Sequence, residues 1–140
     1  AFFSCLFMLR RNDEYYEKIE DLSGLSRNHP VLSFSLLIIL FSLAGIPPLA
    51  GFFAKFYIFM AVIEKSMYFL AVIGLLSTVI AAYYYLRIIK IIYFDPEKEK
   101  YETNHHVGLK ITLALSTLFI LVYFIYPSGI TEIISKINII

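Results

Sequence analysis

The sequence predicts an all-α integral membrane fold: the end of one transmembrane helix, three further transmembrane helices of which one is discontinuous between Gly45 and Gly51, and a short C-terminal amphipathic helix. Three observations carry that expectation. Hydrophobic residues make up 59% of the 140 residues and charged residues 16%, with a mean hydropathy of +0.75, too apolar for an ordinary water-soluble domain. Three uncharged runs, Val31 to Ala54, Ser66 to Leu86 and Ile111 to Thr131, each reach the roughly 20 residues that a helix needs to cross a hydrocarbon core about 30 Å thick. The first run carries Gly45, Pro47, Pro48 and Gly51 within seven residues, followed by Lys55 among apolar and aromatic neighbours.

Residues 1–9, AFFSCLFML, are apolar and end in Arg10-Arg11, the reverse of the charge-then-apolar order of a signal peptide. They read as the end of a transmembrane helix that begins elsewhere, so the chain is expected to be the C-terminal fragment of a larger protein. Cys5, the single cysteine, sits in this stretch and reads as a buried, inert thiol with no disulfide partner in the chain. Residues 10–30 form a mixed-charge loop in which YYEKIEDLSGL predicts a short surface helix ending at Gly24. His29-Pro30 marks the start of the next span, because proline suits the first helical turn. The broken helix follows over 31–63, a transmembrane helix over 66–93, a second charged loop over 94–109, a transmembrane helix over 110–127 and an interfacial helix over 129–140. In that last stretch Ile130, Ile133, Ile134 and Ile137 share one face, and it is too short for a further crossing.

Basic residues set the expected orientation. Arg10, Arg11, Lys18, Arg27, Arg87, Lys90, Lys98, Lys100 and Lys110 fall on one side, and only Lys65 and Lys136 on the other. The bias places both long loops in the cytoplasm or the equivalent compartment of an organelle. A net charge of +1 offers no basic surface for nucleic acid, and His105-His106 have no third ligand at metal spacing.

The first run needs a break. From Val31 to Ile63 there are 33 residues, about 50 Å if continuously helical, well beyond the core. Pro47 and Pro48 lack the amide hydrogen, and Gly45 and Gly51 accept backbone angles other residues resist. The expected outcome is unpaired carbonyls on one half-helix and unpaired amides on the other, tolerated in lipid only when buried in protein or lining a hydrated cavity. A simple proline kink is the plainer alternative.

Lys55 is the second departure. Nine residues separate it from Glu64, about 13 Å of helix, and its Cα–Cβ bond leans toward the break, so snorkelling outward is poor. Its helical neighbours Gly51, Phe52, Ile58 and Phe59 cannot pair with it, so its partner is expected outside the chain. An intramembrane lysine costs about 2.5 to 3.5 kcal/mol on insertion scales and is a functional candidate by default. Desolvation favours the neutral amine and a polar partner the ammonium, so such a group can load and release a proton as its surroundings change. In the third helix, Gly74, Thr78, Ala81, Ala82 and Tyr85 form a small-residue face suited to close helix approach.

These motifs carry a resemblance. LAGIPPLAGFFAKFY, followed by an uncharged helix ending AAYYYLR, is similar to the C-terminal part of the antiporter-like membrane subunits of respiratory complex I (NADH:quinone oxidoreductase), most closely the subunit N branch, called subunit 2 in mitochondria. The resemblance covers essentially the whole chain but about the last third of a fourteen-helix family member. It implies that residues 31–63 are one of the fold's two broken helices and that Lys55 matches the family's intramembrane lysine, part of a central chain of charged residues and water. The glutamate and lysines on earlier helices would be supplied by the missing N-terminal helices of the same protein, leaving Lys55 at the outer end of the relay. It further implies other complex I membrane subunits and the lipid bilayer as partners. NAD, flavin, iron–sulfur clusters and quinone would be bound by other subunits, with no cofactor in this chain. The expected location is the bacterial inner membrane or the mitochondrial inner membrane. Competing readings are a subunit of a multi-subunit sodium/proton antiporter or membrane-bound hydrogenase, and a structural membrane scaffold in which Lys55 is inert.

Overall fold

The computed structural model describes residues 1–11, 14–15, 18–47, 49–96, 102–103 and 107–125. Pro48, the histidines His105 and His106, and the amphipathic stretch expected over 129–140 lie outside the described residues. The elements are α1 (Phe2–Met8), β1 (Leu9–Arg11), β2 (Glu14–Tyr15), a 3-10 turn (Ile19–Leu22), α2 (Leu25–Asn28), α3 (Pro30–Ala44), α4 (Ala50–Glu64), α5 (Tyr68–Phe94), β3 (Glu102–Thr103) and α6 (Val107–Ile125).

Among the described residues, two helices are long and apolar enough to cross a membrane, α5 with 27 residues and α6 with 19. The run after Pro30 behaves differently. It makes two helices of 15 residues each, α3 and α4, about 22 Å apiece and individually too short for a core of about 30 Å. They follow one another along α5. The end of α5 lies by the start of α3, where Gly24 N–H donates to the Ile91 carbonyl at 3.2 Å and Ser23 Oγ to the Pro96 carbonyl at 2.6 Å. Its first half lies by α4, where Gly74 faces the Phe59 ring. Helix α6 runs alongside α3 in the same direction: Lys110 and Leu113 border a cavity with Pro30 and Leu32, and Tyr123 meets Phe53 of α4 edge to face at 5.5 Å.

Local chemistry explains the helix limits. Pro30 occupies the first turn of α3, where its missing amide hydrogen costs nothing. Before the buried isoleucines at its end, α5 has its small-residue face partly covered: Gly74, Thr78, Ala81, Ala82 and Tyr85 are half-buried, while Phe69, Leu76 and Ile80 on other faces are exposed. The buried core gathers at one end of the molecule, joining Cys5 and Met8 of α1, Leu22, Leu25, Leu32, Leu36, Leu40, the Ile88–Ile92 turn of α5 and Leu113. Cys5 is fully buried and unbonded to sulfur. Helix α4 contributes no buried residue.

The spanning elements are all helical. The loops add one feature the sequence did not announce, a small antiparallel sheet in the order β2-β1-β3, with Arg10 opposite Tyr15 and Leu9 opposite Thr103. Strands of two or three residues are too short for alternation to register. Pairing them gives main-chain groups beyond the first helix their hydrogen-bond partners and ties the two charged loops together at one end. The short helix expected to end at Gly24 is a 3-10 turn that stops at Leu22, followed by the single turn α2. Leu22 and Leu25 are buried, so this segment is clamped to the core rather than laid on a surface.

Candidate functional site: a lysine at a helix end

Helix α3 stops at Ala44 because Gly45 enters the left-handed region at φ +84°. Gly45 N–H donates to the carbonyls of Phe41 and Ser42, both at 3.1 Å, and Ile46 N–H returns to the Phe41 carbonyl at 3.1 Å. That is the Schellman arrangement, and Pro47 follows where a proline prevents the helix from resuming. The chain turns through Leu49, whose N–H donates to the Ile46 carbonyl at 3.1 Å, and α4 begins at Ala50 without a side-chain cap from Leu49.

Gly51 sits against the last turn of α3. Its N–H donates to Ser42 Oγ at 3.1 Å, and a Cβ there would lie 1.8 Å from the Ser42 carbonyl oxygen, so no side chain fits. One turn later Lys55 leans back toward the start of α4, as helical side chains do. Its Nζ donates to the Leu43 carbonyl at 2.8 Å and to the Ala44 carbonyl at 3.2 Å. These are two of the last four carbonyls of α3, which no amide of that helix can reach. They also form the negative end of its dipole, where a cation is favoured. The stem of Lys55 crosses Gly45, whose missing side chain leaves room: a Cβ would stand 3.1 Å from Cδ and 3.2 Å from Nζ.

The structure thus brings Gly45, Gly51 and Lys55 together and sets Pro47 beside them, exposed. It corrects one expectation. The lysine does have hydrogen-bond partners within the chain, and they are main-chain oxygens, which a survey of neighbouring side chains passes over. The unpaired groups expected at the break are likewise partly satisfied, the carbonyls by the Schellman bonds and Lys55, the Gly51 amide by Ser42. An ammonium has three donors, and two are used here. Ser42, whose hydroxyl receives the Gly51 amide, is the residue of this site that reading the sequence missed. The available signal was a hydroxyl three residues before Gly45 in an otherwise apolar stretch. Among the described residues, no group of three or more His, Cys, Asp and Glu gathers as a metal site.

Two apolar helices long enough to span a bilayer, packed with further apolar helices, mark a helical membrane protein, in which Lys55 is an ionisable group held at a helix end. The chain belongs to the NADH:quinone oxidoreductase/Mrp antiporter transmembrane family, whose model matches residues 1–81. It is 75% identical over all 140 residues to NADH-quinone oxidoreductase subunit N of Pelagibacter ubique (strain HTCC1062), covering 30% of that protein. It is 52% identical over 126 residues to subunit N of Methylobacterium nodulans (strain LMG 21967 / CNCM I-2342 / ORS 2060), covering 90% of this chain and 26% of that one. Among solved structures, a chain of respiratory complex I from Thermus thermophilus with bound Aureothin matches with a TM-score of 0.68 and 28% identity, over 78% of this chain and 25% of that one. The chain therefore spans less than a third of the length of these relatives.

Proposed function

We propose that the chain is part of a proton-translocating membrane subunit of NADH:quinone oxidoreductase, in which α3 and α4 form one interrupted crossing and Lys55 is a proton-relay group at the interruption. The observation that carries this reading is the Lys55 ammonium on the Leu43 and Ala44 carbonyls. Main-chain oxygens at a helix end stabilise the charged amine without neutralising it, whereas a carboxylate would lock it as an ion pair. The proton is held by contacts that a change of the Lys55 side-chain rotamer can lengthen while the first turn of α4 keeps its place.

In this reading the chain works within a respiratory membrane, beside further helices and other subunits of the oxidoreductase. NAD, flavin, iron–sulfur clusters and quinone are bound by those subunits and not by this chain. Pro47 keeps the two half-helices from fusing, and Gly45 and Gly51 permit their close overlap. The names of the relatives favour the oxidoreductase over an Mrp-type sodium/proton antiporter, a membrane-bound hydrogenase subunit or an inert scaffold.

The test is made in the full-length subunit within the assembled complex. Lys55→Ala is expected to lower the number of protons moved per NADH oxidised in sealed vesicles while assembly persists. Lys55→Arg is expected to impair it too, because a guanidinium stays protonated at accessible pH and cannot release its proton. An unchanged ratio with unchanged activity in both variants would rule out the relay.

A further inference from the structure

We propose that Ser42 is a positioning residue for Lys55, holding the lysine's helix in register against the helix end that receives its ammonium; the inference rests on the relay reading of Lys55. Several hydroxyls on the long helices donate to a carbonyl one turn back on their own helix: Ser35 to Val31, Ser77 to Gly74, Thr78 to Leu75 and Thr112 to Gly108. Ser42 differs from these. As buried as Ser35, it has a partner on the following helix: its Oγ accepts the Gly51 N–H at 3.1 Å.

The two contacts across the break are spaced as a gauge. Gly51 and Lys55 are four residues apart and so lie on one face of α4. Ser42, Leu43 and Ala44 are consecutive in the last turn of α3. A single attachment would leave α4 free to pivot; two attachments one turn apart fix its rotation and its separation from α3. When the ammonium leaves the Leu43 and Ala44 carbonyls, the Gly51 to Ser42 bond remains. The lysine can then return to the same pair of oxygens.

The test uses the assembled complex carrying full-length subunit with Ser42→Ala, Ser42→Thr, Lys55→Ala and the Ser42→Ala/Lys55→Ala pair. Protons moved per NADH and hydrogen exchange over the first turn of α4 are read for each. Ser42→Ala is expected to lower the proton ratio roughly twofold or more, since a misplaced transfer group is costly, and to speed exchange at that turn. Ser42→Thr, which keeps the acceptor, is expected to restore the ratio. Removing Ser42 in the Lys55→Ala background is expected to change the ratio no further, because the residue acts through the lysine. Should Ser42→Ala fail to assemble, Ser42→Cys keeps the volume, weakens the acceptor and carries the same comparison. A normal ratio in Ser42→Ala (or in Ser42→Cys where it replaces the alanine variant) beside a lowered one in Lys55→Ala would overturn this proposal alone. So would an equal further loss in the Lys55→Ala background. A normal ratio in Lys55→Ala would overturn the relay reading itself.

Discussion

Gly51 has space for a hydrogen atom and nothing larger on the side facing α3, where a Cβ would fall 1.8 Å from the Ser42 carbonyl oxygen and 2.7 Å from its carbon. Both are main-chain atoms, so the clash cannot be relieved by a rotamer change. Gly51→Ala is expected to destabilise the subunit by about 1 to 3 kcal/mol, as overpacking does, and the thermal unfolding midpoint of the purified complex measures it. An unshifted midpoint would contradict the close approach. At this scale the sequence was a partial guide. Gly45, Gly51 and Lys55 were each legible, because glycines beside a proline pair and a lysine in an apolar run depart from what a spanning helix contains. What received the lysine was not legible. The oxygens of Leu43 and Ala44 belong to the main chain, and every residue has one.

Helix α5 shows how far a small-residue face can be read. Gly74, Thr78, Ala81, Ala82 and Tyr85 are the positions that turn inward, and at Gly74 a Cβ would stand 3.0 Å from Cε1 of Phe59. At this point α4 and α5 meet through a ring set against a missing side chain. Gly74→Leu is expected to push α4 away and reduce the amount of assembled complex, at a cost of about 1 to 3 kcal/mol. Phe59→Ala in the same chain is expected to recover part of that loss by vacating the space. Native electrophoresis of membranes from the single and double variants reads the difference, and a double variant as poor as Gly74→Leu alone would exclude the pairing. Helices α5 and α6 were legible because their length and apolar character are long-range signals. The β1–β3 pairing was not, since it joins residues more than 90 apart through main-chain bonds.

The molecule as a whole is built from one end. Its core ties α1, the loop turn, α3 as far as Leu40, the end of α5 and Leu113 of α6 together, while α4 lies beyond it and contributes no buried residue. The charged loops meet at the core end through β1 and β3, and the basic residues there argue for the cytoplasmic side. Cysteines introduced as Ser26→Cys and Thr103→Cys are expected to react with an impermeant maleimide in inverted vesicles and to be protected in intact cells. Reaction from the outer face would reverse the orientation. The backbone reception of Lys55 also has a genetic consequence. Its partner is encoded by where a helix stops, not by which amino acid stands there, so substitutions at 43 and 44 leave both oxygens in place. Chain length is another matter. Deleting a single residue from the non-helical link between Gly45 and Ala50 would shorten it by up to about 3.5 Å, carrying the lysine off its oxygens with every other residue unchanged. A codon lost from that stretch would do what few codon replacements could.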